Sequence, residues 1–440
     1  MSRYSVARTS LIHRSGRFSA RTRFATTASP KGLAGRSPRR TFASLANYNF
    51  RMFWTGQLIS QAGSWMQRMA QAWLVLDMSH SPAALGIVTA LQFLPILCLT
   101  VFAGVFVDRL PKYRLLIVTQ SLALGQSLVL WLLAASGQIT LWQIYILAAF
   151  LGLVTALDNP ARQAMVVEVV GREQLTNAVG LNSAQFNASR LVGPAIGGLT
   201  IAAGGVTVCF FLNAVSFLAV LVGLLLMKPE LFHHLTQRRS SQSVLRQMGE
   251  GMQFVFGTPK MAVIIIPLAS LACFGYNFQI ITPILARDVL HIGAEGFGAL
   301  TAAAGIGALL SALAVATRGS SSMRLLLLAA GVFSVANFGI ALAPWAVLTF
   351  MLLIVNGYAG QTVNASANTM LQLGAPDDLR GRVMGVYTMF FAGMSPIGAL
   401  FTGLLASTAG IRPTIAVEAG LCLCSVVVAL LFGRLKPAGV

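Results

Sequence analysis

Apolar runs of about twenty residues recur along this chain of 440 residues, separated by short polar breaks. They fall at 50–77, 82–107, 113–136, 140–157, 176–203, 206–227, 261–286, 296–317, 323–342, 345–366, 383–408 and 411–433. A helix needs roughly 20 apolar residues to cross a hydrocarbon layer about 30 Å thick. The pattern therefore predicts an all-α integral membrane protein with twelve transmembrane helices. One break is long: residues 228–260 are polar and basic and separate six runs from six. The expected organisation is a basic, disordered tail at 1–44, a six-helix half at 45–227, a central loop at 228–260, a second six-helix half at 261–433 and a short terminus at 434–440. Parallel six-helix halves are an architecture of membrane transporters.

The polar positions inside the runs carry the next signal. Polar groups in lipid are expensive, so they face the protein interior or a wet cavity. In the first run Gln57, Gln61, Ser64, Arg68 and Gln71 follow steps of 4, 3, 4 and 3, which place them on one helical face. The fifth run carries Ser183, Asn187, Arg190 and Pro194 on one face, and the tenth carries Gln361, Asn364 and Asn368. The seventh has Tyr276, Asn277, Gln279 and Thr282 ahead of Pro283. Each residue has a plainer reading as an interhelical hydrogen bond, but five aligned polar residues in one helix favour a cavity.

Charge fixes orientation. Ten of the 31 Lys and Arg lie in the first 40 residues, and most of the others lie in breaks between runs. With the N-terminus inside, the inner breaks hold Arg109, Lys112, Arg114, Arg162, Arg172, Lys228, Arg246, Lys260, Arg318, Arg324, Arg380 and Arg382, whereas the outer ones hold Arg287 and Arg412. This is the positive-inside pattern, and it predicts both termini on the cytoplasmic (or matrix) side. It also assigns the net charge of +19 to membrane orientation and excludes nucleic acid as the partner. Only 10% of residues are charged and the mean hydropathy is +0.75. Residues 1–44 contain no acid and read as an arm on anionic lipid, an organellar transit peptide or an upstream start. The five cysteines fall inside apolar runs, so neither a disulfide framework nor a zinc site is expected. No lysine precedes Ser or Thr, which rules out a Walker A motif, and no histidine lies deep in a run. No enzyme activity, cofactor or metal is expected.

The break after the second run reads Gly104-Val-Phe-Val-Asp108-Arg109-Leu-Pro-Lys112-Tyr-Arg114. It resembles the loop signature of the major facilitator superfamily, with Pro111 where that signature has Gly and Tyr113 where it has a second base. Gly193-Pro194-Ala-Ile-Gly197-Gly198 resembles the helix-5 antiporter signature of drug exporters. The stretches Asp158-Asn-Pro160-Ala-Arg162-Gln163 and Leu379-Arg380-Gly381-Arg382 are similar to loops of the branch that contains the enterobactin exporter and macrolide-efflux permeases. The resemblance covers roughly residues 45–433. It implies two six-helix bundles around a central cavity and a monomeric, proton-coupled secondary transporter. It also implies that Asp108 and Arg109, with Gly104, Arg162, Arg380 and Arg382, latch the cytoplasmic gate. Gly193, Pro194, Gly197 and Gly198 would form a hinge in helix 5.

Together these features lead to the expectation of an exporter of a small organic molecule, siderophore-like or drug-like and possibly anionic. A lipid or lysolipid flippase and a non-transporting sensor are the alternatives. The expected substrate contacts are Gln57, Gln61, Ser64, Arg68, Asn187, Arg190, Asn277, Gln361 and Asn364. Arg68 and Arg190 lie deep in their runs, no acid falls in the middle of any run, and Glu418 falls near an outer end. Two cations lacking an internal counter-ion suit an anionic substrate; the alternative is that they bond helix carbonyls or snorkel outward.

Overall fold

The computed structural model describes residues 42–233, 244–318, 321–376 and 379–435. Among them the secondary structure is helical, with no strand. Helix α1 is Tyr48–Ser79, α2 Pro82–Arg109 and α3 Lys112–Ala135. The next helical stretch, Leu141–Leu225, is interrupted at Gly171 and Gly205, which gives α4 (141–170), α5 (172–204) and α6 (206–225). After it come α7 Val244–Gly257, α8 Pro259–Ser270, α9 Phe278–Ile284, α10 Gly293–Arg318, α11 Met323–Leu342 and α12 Ala346–Gly374. The last are α13 Arg380–Gly393, α14 Ser395–Ala409 and α15 Ile411–Leu435. Every apolar run read from the sequence lies mainly on helix, the seventh with an interruption at Tyr276 and Asn277. Nine stretches among the described residues are long and apolar enough to cross a membrane. One of these is the whole of Leu141–Leu225; α1, with Arg51, Arg68 and Asp77, is not among the nine.

Local chemistry sets the helix ends. The Asn47 side chain accepts the Phe50 N–H and starts α1, while His80, at φ 50°, ends it. Thr140 and Gln143 form a reciprocal capping box at α4. Pro160 does not stop α4, although the polar stretch around it predicts a break at 157. The helix continues to residue 170, with Asp158 and Arg162, one turn apart, paired along its buried side. The expected loops after the fourth and fifth runs shrink to single glycines, Gly171 at φ 68° and Gly205 at φ 78°, a region costly for residues with a Cβ.

The central segment 228–260 is not all loop: it contains α7. Met252, Phe254 and Val255 pack on the second half's core, while Glu250 pairs with Arg246 on its own helix and with Arg382 of α13. At the other end of the first half, Ser44, expected in the tail, is buried. Its N–H donates to Asn177 and its hydroxyl to the Gln174 carbonyl.

Three buried clusters hold the helices together. One surrounds Phe50, Phe53, Leu116, Met165 and Val169 in the first half. Another surrounds Leu268, Phe333, Val363 and Val386 in the second. The third joins the halves, with Val75, Leu85, Ile144 and Phe210 against Ile280, Ile284, Leu300 and Ala399. Large apolar side chains such as Leu199, Leu225, Leu328, Val347 and Leu404 point outward, as expected of a lipid-facing surface. The end where α1, α3, α5 and α13 begin carries most of the Lys and Arg and is called the basic end; the opposite end is the far end.

Candidate functional site

A cavity of ≈ 1160 Å³ lies between the halves. It runs from Ala72 and Phe297 near the far end to Val167 and Leu175 beside the α4–α5 break at the basic end. The far end is closed. Trp73 stacks on Phe297 with ring centroids 6.0 Å apart. Arg287, past the end of α9, donates to the Leu76 carbonyl, meets His80 Nδ1 at 2.9 Å and lies 3.5 Å from Asp77. Two glycine pairs let the helices of opposite halves cross backbone to backbone. A Cβ on Gly198 of α5 would lie 2.9 Å from Gly298 Cα of α10, and one on Gly403 of α14 would lie 2.8 Å from Gly86 Cα of α2. Only small residues permit such approach.

The structure brings most of the expected contacts together. Gln57, Gln61, Ser64 and Arg68 of α1, Asn187 and Arg190 of α5, and Gln361 and Asn364 of α12 line this one cavity. Gln71, the last member of the α1 stripe, is buried away from it. Asn277 does not reach it either. Its amide donates to the Cys273 carbonyl and to Glu418, while its neighbours Tyr276, Phe278 and Gln279 face the cavity. The helix is interrupted here: a π turn at Leu271–Gly275 and non-helical backbone at Asn277 separate α8 from α9. That interruption shifts the register, so Asn277 points behind the helix instead of into the cavity. Gln67, also on the cavity wall, bonds Gln126, Ser127 and Asn213 in an interhelical network.

The cavity is rich in donors. Arg68 and Arg190 flank Trp65, their guanidinium carbons 5.0 and 6.0 Å from its ring centroid. Among the described residues no hydrogen bond or ion pair holds either guanidinium, and the buried Trp65 Nε1 and Gln57 Nε2 also lack acceptors. Arg162, the third cationic residue of the lining, is matched. Asp158 pairs with it and accepts hydrogen bonds from Thr119 Oγ1 at 2.8 Å and Gln120 Nε2 at 2.7 Å. Asp158 is 4% exposed and sits about 26 Å along α4 from Leu141 at 1.5 Å per residue. It lies just past the 140–157 run, on the same continuous helix. Glu418, expected near an outer end, lies seven residues into its helix and is 1% exposed, packed inside the second half. Trp65 is a cavity residue that the polar pattern does not single out. Its signal in the sequence is its place between Ser64 and Arg68 on the polar side of α1.

The remaining expected gating residues separate. Gly193 faces α1, where a Cβ would lie 2.6 Å from the Ala62 carbonyl oxygen. Gly198 faces the other half, and a Cβ on Gly197 would press nearest on the side chains of Met66 and Met69, at 3.2 and 3.3 Å. Pro194 lines the cavity. Arg380 donates to the Gln372 carbonyl and Arg382 pairs with Glu250, so both tie together elements of the second half. Gly104, Asp108 and Arg109 lie on the last turns of α2, and their side chains fall outside the described residues.

The family of transmembrane secretion effectors matches residues 39–438. The staphyloferrin A transporter of Staphylococcus aureus is 26% identical over 375 residues, 83% of this chain and 92% of its own length. The multidrug efflux pump Tap of Mycolicibacterium fortuitum is 29% identical over 365 residues, 81% of this chain and 89% of its own. A crystallised bacterial homologue of the human lysosomal transporter Spinster, inward-facing and unoccupied, superposes with a TM-score of 0.68 at 14% identity. The superposition covers 92% of this chain and all of that one.

Proposed function

The chain belongs to the transmembrane secretion effector family, a group of major facilitator permeases, and from that premise we propose that it exports an anionic small molecule driven by protons. A multi-pass secondary transporter of small molecules, not an enzyme, is what family and relatives establish. The anionic substrate rests on one observation: among the described residues Arg68 and Arg190 face the cavity with no hydrogen-bond or ion-pair acceptor, beside a Trp65 N–H that has none either. An arginine at the bilayer centre costs at least ~2.5 kcal/mol on insertion scales. Stacking on tryptophan returns about 0.5–2 kcal/mol. A water-filled cavity can supply the remainder, and an anion with several acceptors would displace that water and engage both forks at once. Among the relatives, one is named for staphyloferrin A. A small molecule with several acid groups suits two spaced guanidiniums.

The closed far end and the cavity's extent to the basic end support the reading of an inward-facing state. Twelve crossings, cytoplasmic termini, a monomer in bacterial inner-membrane lipid, and the domain limits 45–227 and 261–433 complete the proposal. The test replaces Arg68 and Arg190 separately by Gln and measures efflux of carboxyfluorescein and of ethidium from loaded cells. Each variant should lose carboxyfluorescein efflux by about tenfold or more, on the order of one charge-assisted contact. Normal carboxyfluorescein export by both variants, or native preference for ethidium, overturns the proposal.

A further inference from the structure

Glu418 is the buried ionisable group that the substrate site leaves unused. It lies seven residues into α15, about 10 Å from its far end, wedged between α15, α14 and the interruption separating α8 from α9. Its Oε1 contacts Thr402 Oγ1 and lies 3.4 Å from Asn277 Nδ2, while Oε2 is buried without a partner. Among the described residues no ion pair involves it. The titratable groups near it are thiols, Cys273 within the π turn and Cys422 one turn along its own helix. α14 and α9 carry no titratable side chain. Arg324, the one charged residue of α11, and Lys260 of α8 lie in the first turns of their helices, at the basic end. Arg287 and Asp288 follow α9 at the far end, and Arg412 donates to the Ala343 carbonyl there.

The hydrogen bonding has room for one proton. Thr402 Oγ1 stands within 2.8 Å of the Gly398 carbonyl and in contact with Glu418 Oε1, yet a hydroxyl has a single hydrogen to give. With Glu418 ionised, that hydrogen goes to the carboxylate. With a proton on Oε1, the carboxyl donates to Thr402 and Thr402 donates to Gly398. The same heavy atoms serve both states, and the difference is felt by Asn277. Its amide holds the Cys273 carbonyl at 2.8 Å across the interruption and reaches Glu418 with its other hydrogen. The adjacent residue, Tyr276, faces the cavity, donates to the Gly360 carbonyl at 2.9 Å and lies opposite Arg190. Interruptions of this kind inside helices mark functional positions, and an intramembrane carboxyl is a functional candidate by default.

We propose that Glu418 is the proton-binding site of this transporter, and that the interrupted helix α8–α9 carries its state from Asn277 to Tyr276 in the cavity. The proton adds to and leaves from the carboxyl oxygen, with no other chemistry. The role in transport rests on the reading above; the binding of the proton does not. Infrared difference spectroscopy on the full chain in lipid vesicles follows the carboxylic-acid C=O band over roughly pH 5 to 9. The native protein should show a band that disappears as pH rises, is missing from Glu418→Gln and is displaced in Thr402→Val, which keeps the acid but removes the hydroxyl. A native band insensitive to pH, or spectra identical in native and Glu418→Gln, overturns the proposal. In vesicles with an imposed pH gradient, Glu418→Gln should lose gradient-driven carboxyfluorescein accumulation by about tenfold or more while exchange without a gradient continues. Native-rate accumulation by Glu418→Gln also overturns it. If the native protein moves no carboxyfluorescein, the anionic-substrate reading fails, and the infrared titration still decides whether Glu418 takes up a proton.

Discussion

Replacing Gly198 by alanine should push the molecule out of the far-end-closed state without unfolding it. The added Cβ would lie 2.9 Å from both the Ala294 carbonyl oxygen and Gly298 Cα, backbone atoms of α10 in the other half. Ordinary contact begins near 3.4 Å, so the two helices must separate by about half an ångström, and neither atom belongs to a side chain that can rotate away. Overpacking of this kind costs ~1–3 kcal/mol. Gly198 meets the other half only where the far ends touch, so the cost falls on the closed state and is relieved when the ends part. A bias of that size changes the ratio of states by ~5- to 150-fold. Thr301, one turn beyond Gly298 and facing the cavity, reports it. In a chain with the exposed Cys98 and Cys424 changed to Ser, Thr301→Cys is labelled by an impermeant thiol reagent added at the far side. Labelling should accelerate within that range in Gly198→Ala and stay at the native rate in Gly193→Ala, whose clash with Ala62 lies within one half. Unchanged labelling in Gly198→Ala, at unchanged thermal stability, would refute the assignment of Gly198 to the seal.

Gly193→Ala should instead lower thermal stability by ~1–3 kcal/mol, and Gly197→Ala by less, because Met66 and Met69 can move; unfolding in detergent ranks them. Asp158→Asn leaves Arg162 without its carboxylate and should destabilise by about 1–3 kcal/mol, with Arg162→Gln restoring most of the loss; no restoration in the double variant would count against the pair. Arg287→Ala removes the tie from α9 to Leu76, His80 and Asp77 and should raise far-side labelling of Thr301→Cys in the same direction as Gly198→Ala. Tags at the C-terminus and at Gln237 should be inaccessible from outside intact cells; labelling of either reverses the proposed orientation.

The apolar runs and the α1 stripe are legible in the sequence because a continuous helix preserves its period. Gln57, Gln61, Ser64 and Arg68 fall on one face by spacing alone, and they do face one cavity. Legibility ends where the period breaks. A π turn at Leu271–Gly275 rotates the residues beyond it, so Asn277 turns from the cavity to Glu418. It ends again where polarity mimics a loop: Asp158, Pro160 and Arg162 look like a break, yet they lie within helix, with Asp158 and Arg162 satisfying each other's charge. Periodicity is silent on Glu418 because its partners, Thr402 and Asn277, come from elsewhere in the fold. The glycine seals are visible as small residues, but only the packing of the helices separates Gly198, which meets the other half, from Gly193, which meets its own.

Relatives of this fold are named for different cargoes, so cargo choice must reside in the side chains of the cavity and not in the architecture. Here the charge balance of the lining decides. Arg162 and Asp158 cancel each other, and Asp158 already accepts from Arg162, Thr119 and Gln120. It is the one acid among the described lining residues, so a cationic cargo would find no uncommitted carboxylate. It would also meet Arg68 and Arg190, two positive charges that neither the lining nor each other can neutralise. At an effective dielectric of about 20, like charges even 8 Å apart repel by roughly 2 kcal/mol. An anion reverses the sign of that interaction with both residues. Its arrival would also relieve the repulsion between them, which gives it an advantage over a neutral molecule of the same shape. That advantage should shrink in high salt to the extent that the cavity admits ions from the basic end.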